Sequence, residues 1–162
     1  MLVPFQELPE DARIWIYQSN RPFNTEEAAA VKAACDAFLN GWTAHEAALH
    51  AGVDMPYNRF IIFGLDAQQG SASGCSIDAS VRFIQKLEAL YGVDLLDKMN
   101  VTYKQGPHLA HKQLNDFKKM AKDRAVNGNT IVFNNLVNTK GEYDQFWEVP
   151  ASESWHGQFM KA

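Results

Sequence analysis

Two periods of apolar positions alternate along this chain, one of strands and one of helices. Ile14, Trp15, Ile16 and Tyr17 lie in a short β-favouring run over 12–18 that predicts a first strand. Asn24 with Glu27 three positions on has the form of a capping box. Val31, Cys35, Phe38, Leu39 and Trp42 then recur at helical spacing, which predicts an amphipathic helix ending near Asn40-Gly41. The stretch 49–55 is weakly strand-like, and Pro56-Tyr57-Asn58 reads as a turn. Residues 59–66 (RFIIFGLD) form the clearest central strand.

A second helix is expected to start near Cys75 or Ser76, to bury Ile77, Val81, Ile84, Leu87 and Tyr91, and to stop at Gly92. A short helical turn over 94–98 and a strand over 101–104 follow. Gly106-Pro107 is expected to break the chain before a third helix over 112–126 with Leu114, Phe117, Ala121 and Ala125 inward. Residues 130–133 read as a strand. Thr139 and Glu142 form another capping-box pattern, and Ser152 or Ser154 is placed to cap a last helix carrying Trp155 and Phe159. The order β-α-β-β-α-β-α-β-α predicts an α+β layered sandwich with a mainly antiparallel sheet, ferredoxin-like in its first part. With no repeat, low-complexity tract or linker, the chain reads as one domain over 1–162.

Composition agrees with a folded chain: 46% of the 162 residues are hydrophobic and 12% aromatic. The net charge of −4 and pI near 5.7 argue against nucleic-acid binding. The basic residues Lys112, Lys118, Lys119, Lys122 and Arg124 are interrupted by Asp116 and Asp123, as on a solvated face. No apolar stretch approaches the roughly 20 residues of a membrane span. The acidic start, with Glu7, Glu10 and Asp11, lacks the basic and apolar regions of a signal peptide, so a cytoplasmic protein is expected.

Candidate chemistry concentrates in the segment from Gly70 to Asp78, GSASGCSID. Its small residues run into the expected helix start, where unpaired N–H groups and the positive dipole end favour an anion. Gly74, Ser73 and Ser76 are therefore candidate ligand-binding residues, with Asn134 and Asn135 at a strand end as further candidates. A thiol at such a position is a candidate nucleophile or redox sensor. On that alternative, Cys75 is catalytic, His45 or His156 is its base, and Asp78, expected near the third helical position, lends support. Ser76 and Asp78 are equally explained as an N-cap and a dipole complement. His45 and His156 lie close to Trp42 and Trp155, which fits pocket walls and packing anchors alike.

No H-E-x-x-H or paired C-x-x-C pattern points to a metal, and no motif names a cofactor. The nucleotide P-loop pattern is missing its lysine, because Gly70 and Gly74 are too close and Cys75-Ser76 follows.

The runs Gly74-Cys75-Ser76-Ile77-Asp78-Ala79-Ser80, Leu95-Leu96-Asp97-Lys98-Met99-Asn100-Val101 and Asn134-Asn135-Leu136-Val137-Asn138 occur with Trp15-Ile16-Tyr17-Gln18-Ser19-Asn20 and Pro150-Ala151-Ser152-Glu153-Ser154-Trp155-His156. Together they resemble a family of short bacterial proteins that often carry the label "ABC transporter ATPase". The resemblance spans nearly the whole chain and carries over no catalytic residue. Two functions are thus expected as alternatives: a binding or interaction protein for a small anion or protein partner, and a small enzyme built on Cys75.

Overall fold

The computed structural model describes residues 1–160 and is α+β, with antiparallel sheets covered by helices. Its strands and helices are β1 Arg13–Gln18, α1 Thr25–Asn40, β2 Thr43–Ala44, β3 Ala47–Ala48, β4 Ala51–Asp54, β5 Phe60–Leu65 and α2 Gly74–Tyr91, followed by β6 Asn100–Gln105, β7 His108–Gln113, α3 Leu114–Lys122, β8 Ile131–Phe133, α4 Lys140–Phe146 and β9 Glu148–Pro150. The chain forms two compact units, a division that its sequence, lacking a linker, does not announce. The first is Met1–Leu96 with Asn138–Gly141; the second is Asp97–Val137 with the chain from Glu142 onward.

In the first unit, β5 is the middle of a three-stranded antiparallel sheet ordered β1-β5-β4. It is buried along its whole length, as its unbroken apolar run requires. Ile61, Phe63 and Leu65 point to one face, where Val31, Cys35 and Leu39 of α1 and Ile84 and Leu87 of α2 complete the core. The opposite face approaches the N-terminal segment so closely that a Cβ on Gly64 would lie 2.5 Å from Leu8 Cδ1.

The run β1-α1-β4-β5-α2 has the ferredoxin-like arrangement, with β5 between β1 and β4. The next strand, β6, joins the other sheet. Beside β1, where a fourth strand would pair, there is an isolated bridge between Arg13 and Thr139.

Helix α1 begins at the expected capping box, in which Asn24 and Glu27 each bind the other's backbone N–H. Helix α2 ends at Gly92, whose φ of 60° gives the left-handed cap that glycine adopts without Cβ strain. The buried stripe of α2 differs from expectation. Ser76, Ser80, Ile84 and Leu87 are buried, while Ile77, Val81 and Tyr91 are half-buried. The inward serines are tolerated because their hydroxyls bond back into the helix; that of Ser80 donates to Ile77 O at 2.6 Å.

The second unit holds a four-stranded antiparallel sheet ordered β7-β6-β8-β9. Phe117 and Ala121 of α3 pack with Val101, Tyr103 and Val132 of the sheet. Here the expected third helix is corrected. Gly106-Pro107 turns the chain and does not break it, making a two-residue hairpin in which Gln105 faces His108. Gly106, at φ 61°, supplies the positive φ that the first position of a II′ turn demands. Lys112 therefore belongs to β7, and α3 covers Leu114–Lys122 alone. The expected turn of helix over 94–98 does not form, and the expected last helix is a pair of short 3-10 turns, Ala151–Glu153 and Trp155–Phe159.

Candidate functional site

The start of α2 is built by its own serines. Ser73 is the N-cap, with extended backbone, and its Oγ accepts from Ser76 N at 3.1 Å. Ser76 Oγ accepts from Ser73 N at 2.7 Å and donates to Ser73 O at 2.8 Å. This is a capping box with serine in the place usually held by Glu or Gln. It corrects one expectation: the Ser76 hydroxyl is engaged in the cap and does not face a ligand. Asp78, two positions beyond the third helical residue Ser76, does not take the position expected for it. It sits on the surface at i+3 from Cys75, which brings a negative charge beside the thiol.

The cap leaves two donors over. The N–H groups of Gly74 and Cys75 are the first two of the helix and, among the described residues, have no acceptor. A Cβ placed on Gly74 would meet nothing within 4 Å, so the approach to them is open. The first turn is anchored from below by Trp42, whose Nε1 donates to Ser76 O at 2.8 Å. Trp42 packs edge-on against Trp15 at 5.8 Å, and the Arg13 guanidinium lies 4.4 Å above the Trp15 ring. A rigid aromatic stack thus fixes a solvent-facing helix end.

The two cysteines differ sharply. Cys75 is exposed on the first turn of α2. Cys35 is buried in α1, and burial, aided by the charge of Asp36, pushes its thiol up to about 12.

The expected base partners are placed as follows. His45 is exposed at the tip of the β2–β3 hairpin, where His45 and Glu46 both hold left-handed backbone at φ 51° and 67°. Among the described residues no hydrogen bond joins it to Cys75. His156 belongs to the second unit and is 1% exposed. Its Nδ1 lies 2.7 Å from Ser154 Oγ, its ring stacks on Trp155 at 3.8 Å, and Phe117 meets it edge-on at 5.8 Å. Burial pulls its pKa down to about 4, so it is neutral at pH 7 and is a packed core histidine.

Asn134 and Asn135 are also in the second unit and have structural partners. Asn134 Oδ1 accepts from Leu136 N at 3.1 Å, and Asn135 Oδ1 accepts from Trp147 Nε1 at 2.9 Å. They do not join the α2 residues within one unit. Among the described residues, no group of three or more His, Cys, Asp and Glu could hold a metal ion. No helix there is long and apolar enough to cross a membrane.

Sequence reasoning passes over one pair, Ser19 and Arg59, which the structure buries at adjacent positions. The available signal was positional, since Arg59 directly precedes a strand that is apolar on both faces. No family model, curated protein or solved structure matches this chain.

Proposed function

We propose that the protein is a non-catalytic binding protein whose first unit receives a small anionic group at the start of α2. The supporting observation is the pair of Gly74 and Cys75 N–H groups, exposed, without acceptors and open to approach. They open a helix of 18 residues, so the dipole favours a carboxylate or phosphate at that point. The group belongs to a small molecule or to an acidic segment of a protein partner. The cytoplasm as its compartment and kinship with the short bacterial family are parts of the same proposal. Cys75-Ser76 stands where a P-loop would carry lysine, so nucleotide hydrolysis has no part in it.

Gly74→Pro tests the reading. Proline is accepted at the first helical position and Ser73 is already extended, so the variant removes one N–H and keeps the helix. Calorimetric titration with inorganic phosphate is expected to show several-fold weaker binding than wild type. Equal binding by a folded Gly74→Pro variant overturns the proposal.

The exposure of Cys75 favours a second reading, a nucleophilic or redox-active thiol with His45 as its base. Fast alkylation at about pH 6, well below the ordinary thiol value of about 8.5, would support it. Alkylation that follows an ordinary thiol titration would remove it.

A further inference from the structure

The start of β5, at the opposite end of the strand from the loop leading to α2, holds a charge without a counterpart. Arg59 is 6% exposed, and its Nη1 is buried with no hydrogen-bond partner. Among the described residues none of its guanidinium N–H groups reaches an acceptor and no carboxylate pairs with it. Burial alone shifts its pKa downward, with no opposing charge to offset it, yet a guanidinium stays protonated. A buried cation left in this condition is costly, and native proteins pair such groups.

Arg21 shows the usual arrangement in the same unit. Its Nη1 and Nη2 each donate to Glu27 at 2.9 Å, and Nη2 also donates to Tyr91 O at 2.6 Å. That pair, with the Asn24 N–H second, holds the Glu27 carboxyl down at about 2.

Ser19 stands beside Arg59. The β1–β5 register places Gln18 opposite Phe60, and Ser19 N donates to Arg59 O at 2.9 Å, so the two residues face each other one step further on. Opposed residues of antiparallel strands carry their side chains on one face, about 5 Å apart. Ser19 is 0% exposed, and its Oγ accepts from Arg21 N at 3.4 Å. Among the described residues its hydroxyl proton has no acceptor. Two neighbouring buried side chains therefore offer donors and find nothing to receive them.

The backbone around them is pinned. Phe23 N donates to Asn58 O at 2.7 Å and Arg59 N to Pro56 O at 3.3 Å. Tyr57 and Asn58 just before Arg59 keep left-handed backbone, φ 60° and 49°, which side chains other than glycine rarely adopt.

We propose that Arg59 and Ser19 form a second site, which takes a small oxyanion, a carboxylate or phosphate group, through the guanidinium fork and the hydroxyl. Arg fits this chemistry because its planar donors match two oxygens at once. The slight exposure of Arg59 limits the ligand to a small group or to the end of a larger molecule.

Thermal unfolding with inorganic phosphate or acetate, each against sodium chloride at equal ionic strength, tests the site. Gly74→Pro, in which the α2 start is weakened, is expected to show a saturable rise in Tm that is much reduced in Gly74→Pro/Arg59→Met. A response to acetate alone assigns a carboxylate, and a response to phosphate alone a phosphoryl group. A Gly74→Pro/Arg59→Met response equal to that of Gly74→Pro, or no response in Gly74→Pro, overturns the proposal. Should Gly74→Pro/Arg59→Met fail to fold, Arg59→Lys in the Gly74→Pro background keeps the charge and loses the fork. A reduced rise is then expected, and an undiminished one overturns the site.

Discussion

The first turn of α2 holds the Cys75 thiol in solvent above a capped helix end, whereas the Ser154–His156 turn draws its histidine against Phe117 and Trp155 until 1% remains exposed. Both segments combine small hydroxyl residues with a group capable of chemistry, and in sequence they look alike. What separates them is whether the polar groups are already satisfied. Ser154 and His156 meet each other at 2.7 Å in a packed interior. At α2 the serines satisfy one another and leave two backbone donors facing outward. Function is better sought where donors remain without acceptors than where reactive residue types cluster.

The largest effect belongs to the sealed turn. His156 is neutral when folded down to a pKa of about 4, against 6.5 when unfolded. Above pH 6.5 neither state binds the proton and the group has no effect on stability. Between about 6.5 and 4 the unfolded state alone takes it up, so stability falls with pH, by about 3 kcal/mol in total. Urea unfolding at several pH values measures this, and His156→Gln is expected to remove that part of the pH dependence. An unchanged dependence in the variant would show that the ring is not sealed.

The anchors of the open site rank next. Ser73→Ala removes the N-cap and is expected to cost about 1 kcal/mol. Trp42→Phe removes the Nε1–H bond to Ser76 O and is expected to cost a similar amount, about 1 kcal/mol, by chemical denaturation. No loss in either would mean that the first turn of α2 is not held as described. The smallest effect is that of Cys75→Ser, expected within about 0.5 kcal/mol of wild type because the thiol is exposed. In the folded protein, iodoacetamide should modify Cys75 and leave Cys35 untouched until denaturation.

The elements legible in the sequence were those with strong, one-sided patterns. The apolar run of β5, the Asn24–Glu27 box of α1 and the Gly92 stop of α2 all stand where the sequence placed them. Edge strands were not legible. β7 reads HLAHKQ and lies half-exposed, so no alternation marks it, and the Gly-Pro pair before it signals a hairpin and a chain break equally well. Helix α2 starts at Gly74, one to two residues before the expected Cys75 or Ser76, because its capping box has a serine at the third helical position where an acidic partner is the usual signal. The isolation of Arg59 and the sealing of His156 depend on burial, which a linear pattern does not carry.

The contrast between open and sealed turns is tested most directly by amide chemical shifts during titration with inorganic phosphate. Saturable shifts are expected at the Gly74 and Cys75 N–H groups, and none at Ser154, Trp155 and His156. Unmoved Gly74 and Cys75 resonances would contradict that contrast.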